Sequence, residues 1–345
     1  MAYQSRLETS LEIYATCPQS REVAHKDFLR RAVETAQWSE AAGCTGMLLY
    51  ADNGLVDPWL VAEAVLHRTE RLCPLVAVQP LYLHPYAAAK MVASYAALHQ
   101  RRVCLNMIAG GFRGDLAALG DFTPHDERYE RLTEYTLILQ SLLTSPGPVT
   151  FEGRHYTVRN LRLTPPVPPE LMPGILMSGS SEAGMAAAQA VGATGITYPR
   201  PPAEEADVDG TFPRRGVRLG LIARADAAEA WRVARQRFPV DCRGLATHKL
   251  AMATSDSVWH RQLSERAASP EGDDSPYWLW PFQTYKTFCP YLVGSFEQVA
   301  DMLAAYIAKG YRTYILDIPR GPEDLATARQ AFARATAGTV LALEG

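Results

Sequence analysis

Short runs of uninterrupted apolar residues alternate along this chain with longer stretches in which apolar positions recur every three to four residues. The first pattern predicts buried strands and the second amphipathic helices. One junction between them recurs, in which a helical stretch ends at glycine and enters an apolar strand one or two residues later. The copies are Ala42-Gly43-Cys44-Thr45-Gly46-Met47-Leu48-Leu49-Tyr50, Val191-Gly192-Ala193-Thr194-Gly195-Ile196-Thr197-Tyr198 and Lys309-Gly310-Tyr311-Arg312-Thr313-Tyr314-Ile315-Leu316. Glycine suits the left-handed position past a helix end, and strands apolar on both faces suit a parallel sheet covered by helices. Leu11 to Ala15, Pro74 to Val78, Val103 to Ile108, Gly174 to Met177 and Val217 to Ala223 are further strands and bring the number to eight. Between them lie helices such as Glu127 to Leu143, with Tyr129, Leu132, Tyr135, Leu139 and Leu142 on one face, and Phe296 to Lys309, with Val299, Met302, Leu303 and Tyr306. The expected architecture is an α/β fold, a (β/α)8 TIM barrel with insertions. A doubly wound open sheet shares the alternation, but it would carry a Gly-rich phosphate loop after its first strand, where this chain has Thr16-Cys17-Pro18-Gln19-Ser20.

Two segments interrupt the pattern. Residues 148–173 predict a β-hairpin turning at Glu152-Gly153, followed by a Pro-rich extended connection. Residues 239–293 hold a moderately helical stretch, the polar loop Ser269 to Asp274 and the aromatic run Tyr277-Trp278-Leu279-Trp280-Pro281-Phe282. A long connection of this kind in a compact barrel reads as a lid or binding loop; aromatics that plug one barrel end or form a subunit interface are the alternative.

At 345 residues and 48% apolar, the chain can bury one large core, and residues 1–345 read as a single domain. A plain barrel needs roughly 250 residues, which leaves a surplus for insertions. Lys and Arg number 34 against 37 Asp and Glu, and no basic block offers itself to a run of phosphates, so nucleic acid is not an expected partner. The six cysteines, Cys17, Cys44, Cys73, Cys104, Cys242 and Cys289, form no CxxC pair and read as reduced thiols, most of them in the core. With charges in every short apolar stretch of the amino-terminal segment and no run of membrane-spanning length, a cytoplasmic protein is expected.

Barrel sites form at the carboxyl ends of the strands, and three clusters follow strands here. Asn106 lies in Leu105-Asn106-Met107-Ile108-Ala109-Gly110-Gly111, an amide leading into a glycine turn where backbone can approach a flat or phosphorylated ligand. Pro124-His125-Asp126-Glu127-Arg128-Tyr129 opens a helix with three ligand-capable side chains within about one turn. Met177-Ser178-Gly179-Ser180-Ser181-Glu182 sets hydroxyls and backbone N–H groups at a helix start, an anion site in the making. Each has a plainer reading: a structural Asn, a capped helix with a surface ion pair, a Ser N-cap. No HExxH, GxSxG, P-loop or carboxylate-rich metal pattern is present.

Taken in order and at near-constant spacing, these motifs resemble the alkanesulfonate monooxygenase branch of the bacterial luciferase-like flavin monooxygenases. Thr45-Gly46, Asp57-Pro58-Trp59-Leu60-Val61, Phe151-Glu152-Gly153 and Leu292-Val293-Gly294 add to the match, which runs from about Ala42 to Glu204 and from Val217 to Asp324. The resemblance implies a barrel that takes reduced FMN from a separate NAD(P)H:flavin reductase, activates O2 as a flavin peroxide and assembles as a homodimer or homotetramer. By position it places Asn106, His125, Tyr129, Ser180 and Ser181 around the flavin or its phosphate, with Ser178 and Tyr198 as neighbours.

Departures accompany the match. Leu55 stands where the sulfonate enzymes have a Cys, Gly220 where they have a His, Pro319 where they have a Tyr, and Tyr285 where they have a lid Arg, although Lys286 beside it could supply the cation. Arg218 is retained. Sulfonate chemistry is therefore not expected, because buried polar partners cannot be left unpaired. The expectation is a monooxygenase in which Arg218 and Lys286 serve as catalytic cations, a structural ion pair at a strand end being the plainer reading of Arg218. Leu55 and the aromatic run point to a larger, less polar substrate, such as a carrier-tethered or late-stage natural-product intermediate. An F420-dependent oxidoreductase of the same superfamily and a catalytically silent flavin-binding partner are the alternatives.

Overall fold

The computed structural model of the protein describes residues 10–207, 214–241, 243–248, 264 and 275–343, so Cys242 and the loop Ser269 to Asp274 lie outside the described residues. The first half of the chain forms β1 (Glu12–Thr16), α1 (His25–Ala41), β2 (Gly46–Leu49), α2 (Pro58–Arg68), β3 (Cys73–Val78), α3 (Pro85–His99), β4 (Cys104–Met107), α4 (Arg113–Ala118) and α5 (His125–Thr144). There follow β5 (Val149–Glu152), β6 (Thr157–Leu161), β7 (Ile175–Ser178), α6 (Glu182–Ala190), β8 (Thr194–Thr197), β9 (Arg215–Arg224) and α7 (Ala227–Arg237). The last elements are β10 (Tyr277–Trp278), α8 (Trp280–Gln283), β11 (Tyr291–Ser295), α9 (Phe296–Ala308), β12 (Tyr311–Leu316) and α10 (Pro322–Leu343).

The main sheet runs β10-β11-β9-β12-β1-β2-β3-β4-β7-β8, with a further pairing of β8 and β9. Without the β10–β11 edge, its eight strands are those expected from the apolar runs, in the cyclic order of a (β/α)8 barrel. The three predicted helix-to-strand junctions are present, with Gly43, Gly192 and Gly310 at φ of +82°, +65° and +82°. Only glycine takes this conformation without cost, so the chain can end a helix and turn directly into a strand.

The chain divides into two compact units, one made of Cys17–Glu40 with Thr45–Gly195, the other of Ile196–Gly345 with Ala41–Cys44 and the segment through Thr16. In the first unit β2, β3 and β4 are buried at every position, as parallel strands covered by helices must be. Asp57 caps α2 by accepting hydrogen bonds from the Trp59 and Leu60 N–H groups, and Tyr129, Leu132, Tyr135, Leu139 and Leu142 form the buried face of α5. The hairpin of β5 and β6 is the one expected, but Glu152 pairs with Thr157, so its loop is the longer Gly153 to Tyr156. The Glu134 carboxylate holds that loop by accepting from the N–H groups of Arg154, His155 and Tyr156.

In the second unit β12 pairs with the first half of β9 and β11 with its second half. β11 begins inside the segment expected to be an irregular connection and runs two residues past it, and its register places Tyr291 opposite Gly220. The aromatic run also differs from expectation. Tyr277, Leu279 and Phe282 are buried, and Trp278 and Trp280 pack against a core of Ile222, Ala230, Ala234, Phe238, Cys289, Tyr291 and Val293. These rings fill the interior of their own unit because burying them yields far more than leaving them to water. They therefore give no argument for an apolar substrate.

Gly192→Ala tests the junctions. A Cβ there would meet nothing within 4 Å, so the left-handed backbone alone should destabilise the protein by about 1 kcal/mol. Asn, which tolerates that region better, should cost less. The shift in urea unfolding midpoint reads both, and an unchanged midpoint for alanine would contradict the conformation.

Candidate active site

Five of the expected ligand groups meet in the first unit. β4 carries Asn106, only 5% exposed, and β7 ends at Ser178, whose hydroxyl donates to the Asn106 side-chain oxygen at 2.9 Å. The chain then turns through Gly179 and Ser180 to Ser181, which caps α6 by accepting from the Gly184 N–H at 3.1 Å. Tyr129, one turn into α5, reaches over this corner, and its hydroxyl donates to the Ser178 carbonyl at 3.4 Å. A Cβ at Gly179 would collide with that hydroxyl and one at Gly184 would crowd the ring, so both glycines are needed for the phenol to lie where it does.

Burial pushes the Tyr129 phenol above its ordinary pKa, against a hydrogen bond with Ser181 that works the other way. The group is thus a neutral donor at physiological pH. His125, at the start of the same helix, places its ring 5.2 Å from that of Tyr129. Its Nδ1 lies 2.6 Å from an Asp126 carboxylate oxygen; a carboxylate only accepts, so Nδ1 donates and Nε2 is left to act toward a ligand. The sixth group, Ser180, has a buried hydroxyl oxygen with no hydrogen-bond partner. A hydroxyl in that position beside a helix N-terminus is suited to an anion, which supplies the missing acceptor and is favoured by the helix dipole.

Leu55, at another corner of this unit, lines a small cavity with Cys17, Phe28, Leu49, Tyr50 and Val61. Burial raises the Cys17 thiol to about 12, so it is a protonated, inert wall.

In the second unit Arg218 on β9 lies 3.4 Å from Asp317, which follows β12, and each side chain is 10% exposed. Asp317 also accepts from the Thr287 hydroxyl at 2.6 Å and the Tyr291 hydroxyl at 2.8 Å. Burial pushes the Tyr291 phenol well above its usual range and the Asp317 charge adds to this, while Cys289 is raised for the same reasons. One carboxylate therefore organises a cation, an alcohol and a phenol in a poorly hydrated place. Gly220 is explained here, because a Cβ at 220 would run into the Tyr291 ring. The space that a side chain at 220 would use is filled by a phenol from the neighbouring strand. Pro319, the other departure in this region, lines a pocket with Gly220, Arg237, Tyr291, Asp317 and Asp324.

Of the remaining expected residues, Tyr198 packs against the aromatic core of this unit. Lys286 pairs with Asp241 at 2.5 Å and is 43% exposed; that hydrogen bond pulls the Asp241 carboxyl below its ordinary pKa. Sequence reasoning missed Asp317, Thr287 and Tyr291. Asp317 lies just past the carboxyl end of a barrel strand and could have been found by position. Tyr291 and Thr287 belong to a segment read as irregular and had no such signal.

The sequence profile of a family described as luciferase-like monooxygenase matches residues 12–313. Among characterised relatives, the 4-(gamma-L-glutamylamino)butanoyl-[BtrI acyl-carrier protein] monooxygenase BtrO of Niallia circulans is 36% identical over 306 residues, covering 87% of this chain and 89% of that protein. Among solved structures, riboflavin lyase RcaE with modified FMN and riboflavin aligns with a TM-score of 0.72 at 17% identity, over 96% of this chain and 92% of that one. An F420-dependent secondary alcohol dehydrogenase with an F420-acetone adduct aligns at 0.66 and 15% identity, over 95% and 99%. At such identities the two structures speak for the fold alone.

Gly220→Ala should destabilise the protein by about 1–3 kcal/mol, because the added methyl must displace a fully buried ring. Chemical unfolding measures the loss, and wild-type stability would mean that Tyr291 does not occupy this space.

Proposed function

The chain belongs to the luciferase-like monooxygenases, and from that premise we propose that it takes reduced FMN from a separate NAD(P)H:flavin reductase and oxygenates an acyl group carried on an acyl-carrier protein. The observation that carries the substrate class is the relative at 36% identity over 87% of this chain, whose substrate is bound to a carrier protein. The corner built by Asn106, His125, Tyr129, Ser178, Ser180 and Ser181 supports the cofactor. Its donor set fits a flavin phosphate: an unpartnered buried hydroxyl at Ser180, a helix start capped by Ser181 and a neutral phenol on Tyr129.

In this reading Ser180, Ser181 and the first N–H groups of α6 hold the phosphate, and Asn106, Ser178, Tyr129 and His125 orient the ring. Reduced flavin, when bound, supplies the electrons that activate O2, one oxygen atom entering the product and the other leaving as water. Arg218, fixed by Asp317, stabilises negative charge as it develops on the substrate, and a pre-oriented cation with little water around it does so without reorganising. Tyr198 as a ring neighbour is proposed on family position alone, and Lys286 as a second cation only because it stands beside Tyr285, where the sulfonate branch has its lid Arg.

Ser180→Ala removes one hydrogen bond to a charged group and should weaken FMNH2 binding about tenfold to a hundredfold, with little loss of stability. Anaerobic titration reads the affinity, and unchanged binding would move the phosphate elsewhere. For the substrate class, the full-length enzyme is given a reductase, NADH, FMN, O2 and an acyl group as the carrier-protein thioester or as the free acid. Mass spectrometry should find one added oxygen atom on the carrier-bound acyl group and none on the free acid. Equal oxygenation of both would rule out carrier dependence, and turnover only with reduced F420 would rule out the flavin.

A further inference from the structure

Away from the proposed flavin corner, three metal-ligating side chains converge from two helices of the first unit. Glu63 and His67 are four residues apart on α2 and share a face. His99 is the last residue of α3. A Glu63 carboxylate oxygen lies 3.0 Å from His67 Nε2 and 3.1 Å from His99 Nε2, and all three ligand atoms fall within 4.8 Å of one another. The two imidazoles meet edge to face with centroids 4.9 Å apart.

From this geometry we propose that Glu63, His67 and His99 form a binding site for a single divalent zinc ion, with water as the fourth ligand. Tetrahedral zinc with bonds of about 2.1 Å sets neighbouring ligand atoms about 3.4 Å apart. The two Glu–His separations are already close to that value. Only the two imidazole nitrogens must adjust, and His67, with 61% of its side chain exposed, can turn to do so. His99, by contrast, is 13% exposed and lies against the Tyr95 ring at 5.9 Å, so one ligand is fixed in advance while the exposed side leaves room for water. Two imidazoles and one carboxylate suit zinc and not magnesium or calcium, which call for six or more oxygen ligands.

A second, independent feature favours a cation here. His67 and His99 both occupy the last turns of their helices, where the partial negative charge of the helix dipole is concentrated. These two helix ends feed β3 and β4, which makes them the end of the barrel concerned with stability and not with catalysis. The ion would tie together the points where two adjacent strands begin, so the expected effect is on stability and not on turnover.

The test uses untagged full-length protein stripped with a chelator and titrated with zinc chloride by calorimetry, followed by thermal unfolding with and without the metal. One zinc per chain is expected, with a higher melting temperature in its presence. Glu63→Gln changes a half-buried side chain and His67→Ala an exposed one, and each should weaken uptake about tenfold or more while oxygenase activity stays at the wild-type level. Cobalt in place of zinc should show the visible absorption of a tetrahedral site in the wild type and lose it in both variants. The proposal is overturned if the wild-type chain takes up no zinc, or if both variants take it up as the wild type does.

Discussion

Parallel strands whose residues are apolar on both faces cannot be left against water on either side, and every edge N–H and C=O must find a partner. The fully buried strands β2, β3 and β4 impose both demands. Helices have to cover the sheet, and the strand order has to return on itself, as the pairing of β8 with β9 does. Most strand positions are then apolar, and several polar groups collect near the strand ends. Ser178 and Asp317 stand at or just past such ends, and Asn106 is the penultimate residue of β4.

Close approach is the second theme, and it depends on absent side chains. Tyr129 covers the Ser178–Ser181 corner only because Gly179 and Gly184 have no Cβ. Tyr291 reaches Asp317 only because Gly220 has none. In each case a phenol takes the volume a side chain would have used and brings a hydroxyl to a polar cluster. These are paired choices, and changing one member without the other leaves either a collision or a void.

The pairing at Gly220 bears on specificity. The space beside Gly220 is occupied by a neutral phenol held on the Asp317 carboxylate, which also faces Arg218. A site arranged around that carboxylate presents a different set of donors from a sulfonate pocket.

How far the sequence reaches can be seen residue by residue. The apolar periodicity and the glycine junctions determined the eight strands, their covering helices and the barrel class, because these are local preferences repeated along the chain. The motifs around Asn106, His125, Tyr129 and Ser178–Ser181 pointed to the family that the sequence profile shows, and to the corner proposed for the flavin, since strand ends can be located from the strands. What only the tertiary structure decided are the meetings of residues far apart in sequence: Thr287 and Tyr291 on Asp317, the Tyr291 ring over Gly220, and His99 on Glu63. The aromatic run from Tyr277 to Phe282 belongs with them, since composition cannot say which face of a ring meets water. Periodicity records which side of an element is buried, but the partner on that side is chosen by the packing of the whole chain.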